Sequence, residues 1–241
     1  MFLVLDIGNT NQKAAVFTAD GKEETVLRYD KLAVEHLENL FSRYRIDAAL
    51  LSAVGSVEED VVDWLEKNTR LVCFNSTLKL PVALDYKTPE TLGTDRIASA
   101  VGAWALFPGE NTLVIQAGTC LVTDFVDAQG VYRGGSIAPG LRLRFRALHD
   151  HTAHLPLLEP SSIDFLTGKS TQESILSGVI QGISCEIDGI IHHYKTLFPN
   201  INIILTGGDA DFLKSMIKNR IFAAPNLVLQ GLYEILRNNV E

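Results

Sequence analysis

The sequence is short of cysteine, of basic charge and of unbroken apolar runs, and each shortage removes a class of function. Its three cysteines (Cys73, Cys120 and Cys185) are odd in number and widely spaced, with no metal-finger pattern, which reads as reduced thiols in a cytoplasmic protein. Lys and Arg number 21 against 29 Asp and Glu, for a formal charge of −8. Broad nucleic-acid binding needs a basic surface that displaces counterions, so no nucleic-acid partner is expected. No apolar stretch approaches the roughly 20 residues of a membrane helix, and no membrane partner is expected either. Asp6 interrupts the first apolar run at once, so the N-terminus does not read as a secretory signal. What remains is a composition of 46% hydrophobic and 21% charged residues over 241 positions. That is ordinary for a globular chain with room for two modest domains.

Two stretches share one design. In LVLDIGNTNQK (residues 3–13) and LVIQAGTCLVTD (residues 113–124), an apolar strand-like run meets a polar position, a spacer, then Gly and a polar cluster. Glycine there lets the backbone approach a ligand, so amides can meet phosphate oxygens. In the first copy Asn9 and Thr10 add polar contacts, Lys13 adds charge, and Asp6 suits Mg²⁺ directly or through water. One such turn is as readily a plain hairpin. Two of them, with Thr123 in the second repeating the design, point to phosphate handling by two related domains.

The coarse reading is strand over residues 2–6, strand over 13–17, and a hairpin at Asp20-Gly21. Helix follows over 34–44 and strand over 47–54; Ser56 and Glu59 form a capping box that opens a helix through Glu66. A short strand follows over 71–74 and a helix over 93–107, and the chain begins again at Leu113. The boundary falls at 108–111, giving domains 1–110 and 111–241. GTDR (residues 93–96) stands at a helix mouth, where Thr94 or Asp95 serves as a cap, or Asp95 accepts a hydroxyl proton beside an Arg96 suited to a carboxylate. GGSIAPG (residues 134–140) reads as a tight loop near a ligand or interface. Leu141, Phe145 and Leu148 share a helical face, which makes the intervening arginines flank residues of a core helix. His149, His151 and His154 diverge on such a helix and read as surface or polar-core residues.

In the order DIGNT, GTDR, AGT with TD, GGSIAPG, LTGGDA and PNLVLQGL, the chain resembles type III pantothenate kinases from end to end. The resemblance implies an α/β fold of two ribonuclease-H-like domains, of the acetate and sugar kinase, heat-shock-70 and actin superfamily, with a nucleotide cleft between them. It implies ATP-dependent phosphorylation of pantothenate to 4′-phosphopantothenate, the first committed step toward coenzyme A. By position, Asp95 is then the general base. Tyr86, Gly93, Thr94 and Arg96 contact pantothenate, and Thr171 completes the pocket of the other subunit in a homodimer. Asp6, Gly8, Asn9, Thr10, Lys13, Gly118 and Thr119 serve the ATP phosphates and Mg²⁺, while Gly207 and Gly208 form the adenosine-side loop. A monovalent cation, K⁺ or NH₄⁺, is implied as well, with Asp124 as its ligand. Gln116 departs from the pattern, which has Asp there. An amide keeps an oxygen acceptor but loses the charge, and leaves two readings: a working kinase, or an impaired homologue that binds ligands and acts through a partner.

Overall fold

A computed structural model of the chain describes residues 1–8, 12–53 and 57–240. It contains two compact units: Met1–Pro108 with Gly130–Tyr132 and the chain from Leu227 onward, and Gly109–Gln129 with Arg133–Asn226.

The first unit contains β1 (Phe2–Ile7), β2 (Gln12–Phe17), β3 (Glu23–Tyr29), α1 (Val34–Arg43) and β4 (Ala48–Ala53). It continues through α2 (Glu59–Asn68), β5 (Arg70–Cys73), β6 (Ala83–Leu84), a 3-10 turn at Pro89–Thr91 and α3 (Thr94–Leu106). Its sheet runs β3-β2-β1-β4-β5, with β1 antiparallel to β2 and parallel to β4. Strand side chains alternate between faces, and here parity sorts function from packing. Leu3, Leu5, Ile7, Ala49 and Leu51 join Leu37, Leu40, Val61 and Leu65 of α1 and α2 in one core cluster. The opposite face carries Phe2, Asp6 and Ser52, with Asp6 level with Ser52 on β4 and with Lys13 on β2.

The second unit contains β7 (Thr112–Ala117), β8 (Cys120–Val126), most of β9 (Val131–Pro139), α4 (Leu141–Asp150), α5 (Thr171–Leu197), β10 (Asn202–Thr206), α6 (Ala210–Lys214) and β11 (Phe222–Ala223). Its strands run β11-β10-β7-β8-β9, the same order as in the first unit, and β6 pairs with Val131 and Tyr132 at the start of β9. Leu113, Ile115, Ala117 and Phe125 pack against Phe145 of α4 and Ile175, Val179, Ile183, Ile187 and Ile191 of α5. Ser170 caps α5 by accepting the Glu173 N–H at 3.2 Å, and a Glu173 carboxylate oxygen accepts the Lys169 N–H in return.

Five expectations are corrected. A single cut after residue 110 fails because α7 (Leu227–Val240) belongs to the first unit. There Tyr233 stacks on Phe17 with centroids 4.8 Å apart and donates its hydroxyl to the Ala19 carbonyl at 2.9 Å. Helix α2 begins at Glu59 with Glu58 as its N-cap, so Glu59 is not the third residue of a capping box; Ser56 lies outside the described residues. GGSIAPG is strand up to Pro139, held beside β8, where the Thr123 and Ser136 hydroxyls meet at 2.7 Å. Thr123 does not repeat Lys13. Gln116 pairs with Val122, one residue earlier than the repeat requires, so Thr123 falls on the opposite face of the sheet from Gln116. Finally, α5 is by length and hydropathy able to cross a membrane, although its isoleucine face is buried in the unit's core.

Candidate active site

The first unit gathers charge at the ends of β1 and β2. Asp6 is the last polar residue before the turn, and the pleat places it on the face it shares with Lys13 and Ser52. Burial is the largest influence on its carboxyl; the Lys13 ammonium opposes it, and the nearby Asp95 charge adds to it, so its pKa is raised to about 6. Burial likewise pushes the Lys13 ammonium below its ordinary value, with Asp6 resisting. Among the described residues no group of three His, Cys, Asp or Glu side chains can hold a metal. The Asp6 carboxylate suits a small hard cation that keeps water and draws its other oxygens from phosphates.

Helix α3 presents its first turn to this end of the sheet. Ser52, fully buried, donates its hydroxyl to Thr94 Oγ1 at 2.9 Å, which ties β4 to the helix mouth. Asp95 Oδ1 accepts the Arg96 N–H at 2.9 Å. Gly93 must be small: a Cβ there would sit 2.6 Å from Asp95 Oδ1 and displace the carboxylate. Arg96 is 6% exposed, and its guanidinium carbon lies 5.9 Å from the ring centroid of Tyr86. Asp6, Lys13, Tyr86, Gly93, Thr94, Asp95 and Arg96 are thus carried by one unit, and Gly8 follows directly on β1. Asn9 and Thr10 lie outside the described residues.

The second unit carries a glycine turn after its own central strand. Gly118 donates its N–H to the Cys120 carbonyl at 3.0 Å, and the Thr119 carbonyl accepts the Gly140 N–H at 3.0 Å, which fastens this turn to the mouth of α4. Gly207 has φ of +100°, and a Cβ there would lie 2.1 Å from the Ala117 carbonyl oxygen. Only glycine lets the loop after β10 cross so closely over the end of β7. Gly118, Thr119 and Gly207 therefore converge, with Gly208 exposed beside them. Gln116 occupies in β7 the place Asp6 holds in β1, next to last in the strand, and pairs with Thr206 of β10. Asp124 is fully buried in β8 on the Gln116 face of the sheet.

Thr171 stands elsewhere in this unit. It opens α5 and lines a cavity of about 1230 Å³ with Arg144, Leu148, Lys169 and Ile175, apart from the other site residues of its unit. Three participants escaped the sequence reading. Ser52 had a signal, a lone hydroxyl in the apolar run ALLSA level with Asp6. Asp209 and Arg142, 3.8 Å apart, bring an ion pair to the loop after β10; burial raises the Asp209 carboxyl and Arg142 opposes it. Nothing local announces that pair.

Two sheets of one strand order, each with a polar residue next to last in its central strand and a glycine just past the strand end, define a nucleotide-binding fold of the actin-like kinase class. Solved structures share it. A Sinorhizobium meliloti protein assigned as a 2-dehydro-3-deoxygalactonokinase is 13% identical with a TM-score of 0.59, covering 98% of each chain. A Campylobacter jejuni protein assigned to the Baf family of transcriptional activators is 20% identical with a TM-score of 0.63, also covering 98% of each. The family model for type III pantothenate kinase matches residues 2–193. The type III pantothenate kinase of Christiangramia forsetii is 43% identical over 240 residues, covering 99% of both chains. The chain belongs to the type III pantothenate kinase family.

Proposed function

We propose that this chain phosphorylates pantothenate with ATP, giving 4′-phosphopantothenate on the route to coenzyme A. One observation carries the reading: a chain of this family places Asp95 and Arg96 in the first turn of α3, with Asp95 close enough to Asp6 to act on its charge. Asp95 takes the proton of the attacking pantothenate hydroxyl, and Arg96 receives the carboxylate at the other end of the substrate. The ATP phosphates fall to Lys13 and the amides of Gly8, Gly118 and Thr119, and the loop at Gly207 and Gly208 serves the adenosine. Asp6 holds Mg²⁺, directly or through water, and the bound ion supplies charge neutralisation to the phosphates. Asp124 serves the K⁺ or NH₄⁺ ion. The enzyme works in the cytoplasm, away from membranes and nucleic acids, as a homodimer in which Thr171 completes the neighbour's pocket. Support for that last point is the exposed place of Thr171 at the mouth of α5, apart from its own unit's phosphate turns. Light scattering is expected to give twice the chain mass; a fully active monomer would refute the shared pocket.

The deciding experiment measures ATP consumption with and without pantothenate, in Mg²⁺ and K⁺. Turnover that requires pantothenate is expected from the native chain. Gln116→Asp is expected to raise the rate or the Mg²⁺ affinity several-fold. A carboxylate at the end of β7 binds Mg²⁺ or orients its water better than an amide, which only accepts a hydrogen bond. No turnover in the native chain, with restoration by Gln116→Asp, would overturn the reading that the native protein is active.

A further inference from the structure

Tyr132 is fully buried, yet it stands far in sequence from the residues it touches. It ends the three-residue stretch Gly130–Tyr132 that joins the first unit from within the sequence of the second. Two anchors hold that stretch in place. Gly130 lies against Trp104 of α3, and the start of β9 pairs with β6, Tyr132 level with Leu84, with the Asp85 N–H donating to the Tyr132 carbonyl at 2.9 Å. Tyr86 follows two residues after Leu84, so one short ladder sets both tyrosines. Their ring centroids are 5.9 Å apart and inclined at 49°. The Arg96 guanidinium carbon is 5.9 Å from the Tyr86 ring and 5.9 Å from the Tyr132 ring. The three groups form an almost equilateral triangle.

We propose that Tyr132 is a positioning and specificity-determining residue, whose ring, with that of Tyr86, fixes the Arg96 guanidinium in the orientation that receives the substrate carboxylate. The inference rests on the reading that Arg96 binds that carboxylate. A guanidinium recognises a carboxylate through a planar fork, so its value depends on the orientation of the plane. A free arginine side chain spends binding energy on ordering itself; a guanidinium already held against two aromatic rings does not. Tyr86 is also read as a pantothenate contact, whereas Tyr132, fully buried, acts through Arg96. The ring supplies this contact.

The test is steady-state kinetics with pantothenate, alongside inhibition by pantothenol, which carries a hydroxymethyl group in place of the carboxylate. Tyr132→Leu is expected to raise the KM for pantothenate about 10-fold, the scale of one well-oriented charged contact, with kcat within threefold and the KM for ATP unchanged. The inhibition constant of pantothenol should stay as in the native enzyme, and Tyr132→Phe, which keeps the ring, should leave the pantothenate KM well below that of Tyr132→Leu. If Tyr132→Leu weakens pantothenate and pantothenol alike, Tyr132 is a packing residue and the proposal fails. It fails too if the pantothenate KM does not move. Should Tyr132→Leu not fold, Tyr132→Met, unbranched and better able to adapt to the site, gives the same readout. A native chain that does not turn over pantothenate would bring down the underlying reading, and this inference with it, before any variant is measured.

Discussion

Asp95→Asn is expected to lower turnover by roughly 10²–10⁴ while leaving nucleotide affinity nearly intact, the usual loss when a general base is removed. The replacement is nearly isosteric. Its side-chain oxygen still accepts the Arg96 N–H, the bond that Asp95 Oδ1 makes at 2.9 Å, so the first turn of α3 keeps its shape. Lost are basicity and negative charge. The charge has a second readout, because Asp95 helps to raise the Asp6 carboxyl. In Asp95→Asn that contribution disappears and the Asp6 pKa moves down toward its ordinary value. Titration of Asp6 by NMR, in the protein without nucleotide, is expected to show the midpoint falling below the native value of about 6. Near-normal turnover in the variant would remove Asp95 from the mechanism. An unmoved Asp6 midpoint would mean the two carboxylates do not feel each other.

Much of this site was legible because strand periodicity and glycine turns act locally. An apolar run that closes on Asp6 before Ile7-Gly8 can bury its neighbours only by turning Asp6 to one face, and the sheet bears this out: Leu3, Leu5 and Ile7 enter a core, and Asp6 faces away from it. GTDR likewise declared a helix mouth, and α3 begins at Thr94. What stayed hidden depended on pairing. Gly134, Gly135 and Ser136 have weak strand preference by themselves, and they are strand because β8 offers them a partner. The similarity between LVLDIGNTNQK and LVIQAGTCLVTD was real, but four residues separate the paired Ile7 and Gln12, whereas three separate Ala117 and Leu121. That one residue reverses the face of everything after the turn and sends Thr123 away from Gln116. Tyr132 and α7 were illegible for a related reason: each rejoins the first unit after the chain has left it, at Gly109 and again at Arg133.

Asp6→Asn is expected to abolish most activity and to stabilise the protein. The activity loss should be on the order of 10²–10³, the range found when a preorganised group that stabilises transferring charge is removed, and the Mg²⁺ concentration for half-maximal rate should rise. The stability gain follows from the pKa. Asp6 titrates near 6 in the folded protein against an ordinary 3.8, mainly because burial disfavours the anion, so the native state holds its proton more tightly than the unfolded chain. Native stability therefore falls as pH rises through this window, and above it the ionised Asp6 carries the full cost, ~3 kcal/mol for the whole shift. Asparagine carries no such cost. Part of the gain is given back because Lys13, already pushed down by burial, loses its counter-charge. A net gain of about 1–2 kcal/mol is then expected at pH 7.5, equivalent to a rise of about 2–6 °C in Tm. At pH 4 Asp6 is protonated in the folded protein and only partly ionised in the unfolded chain, so most of the difference has gone and the two proteins should melt much closer together. Thermal scans at pH 7.5 and pH 4 check the sign. A variant less stable than the native protein at pH 7.5 would show that the Asp6–Lys13 attraction outweighs the burial of the carboxylate, and that the anion is not held under strain for its cation.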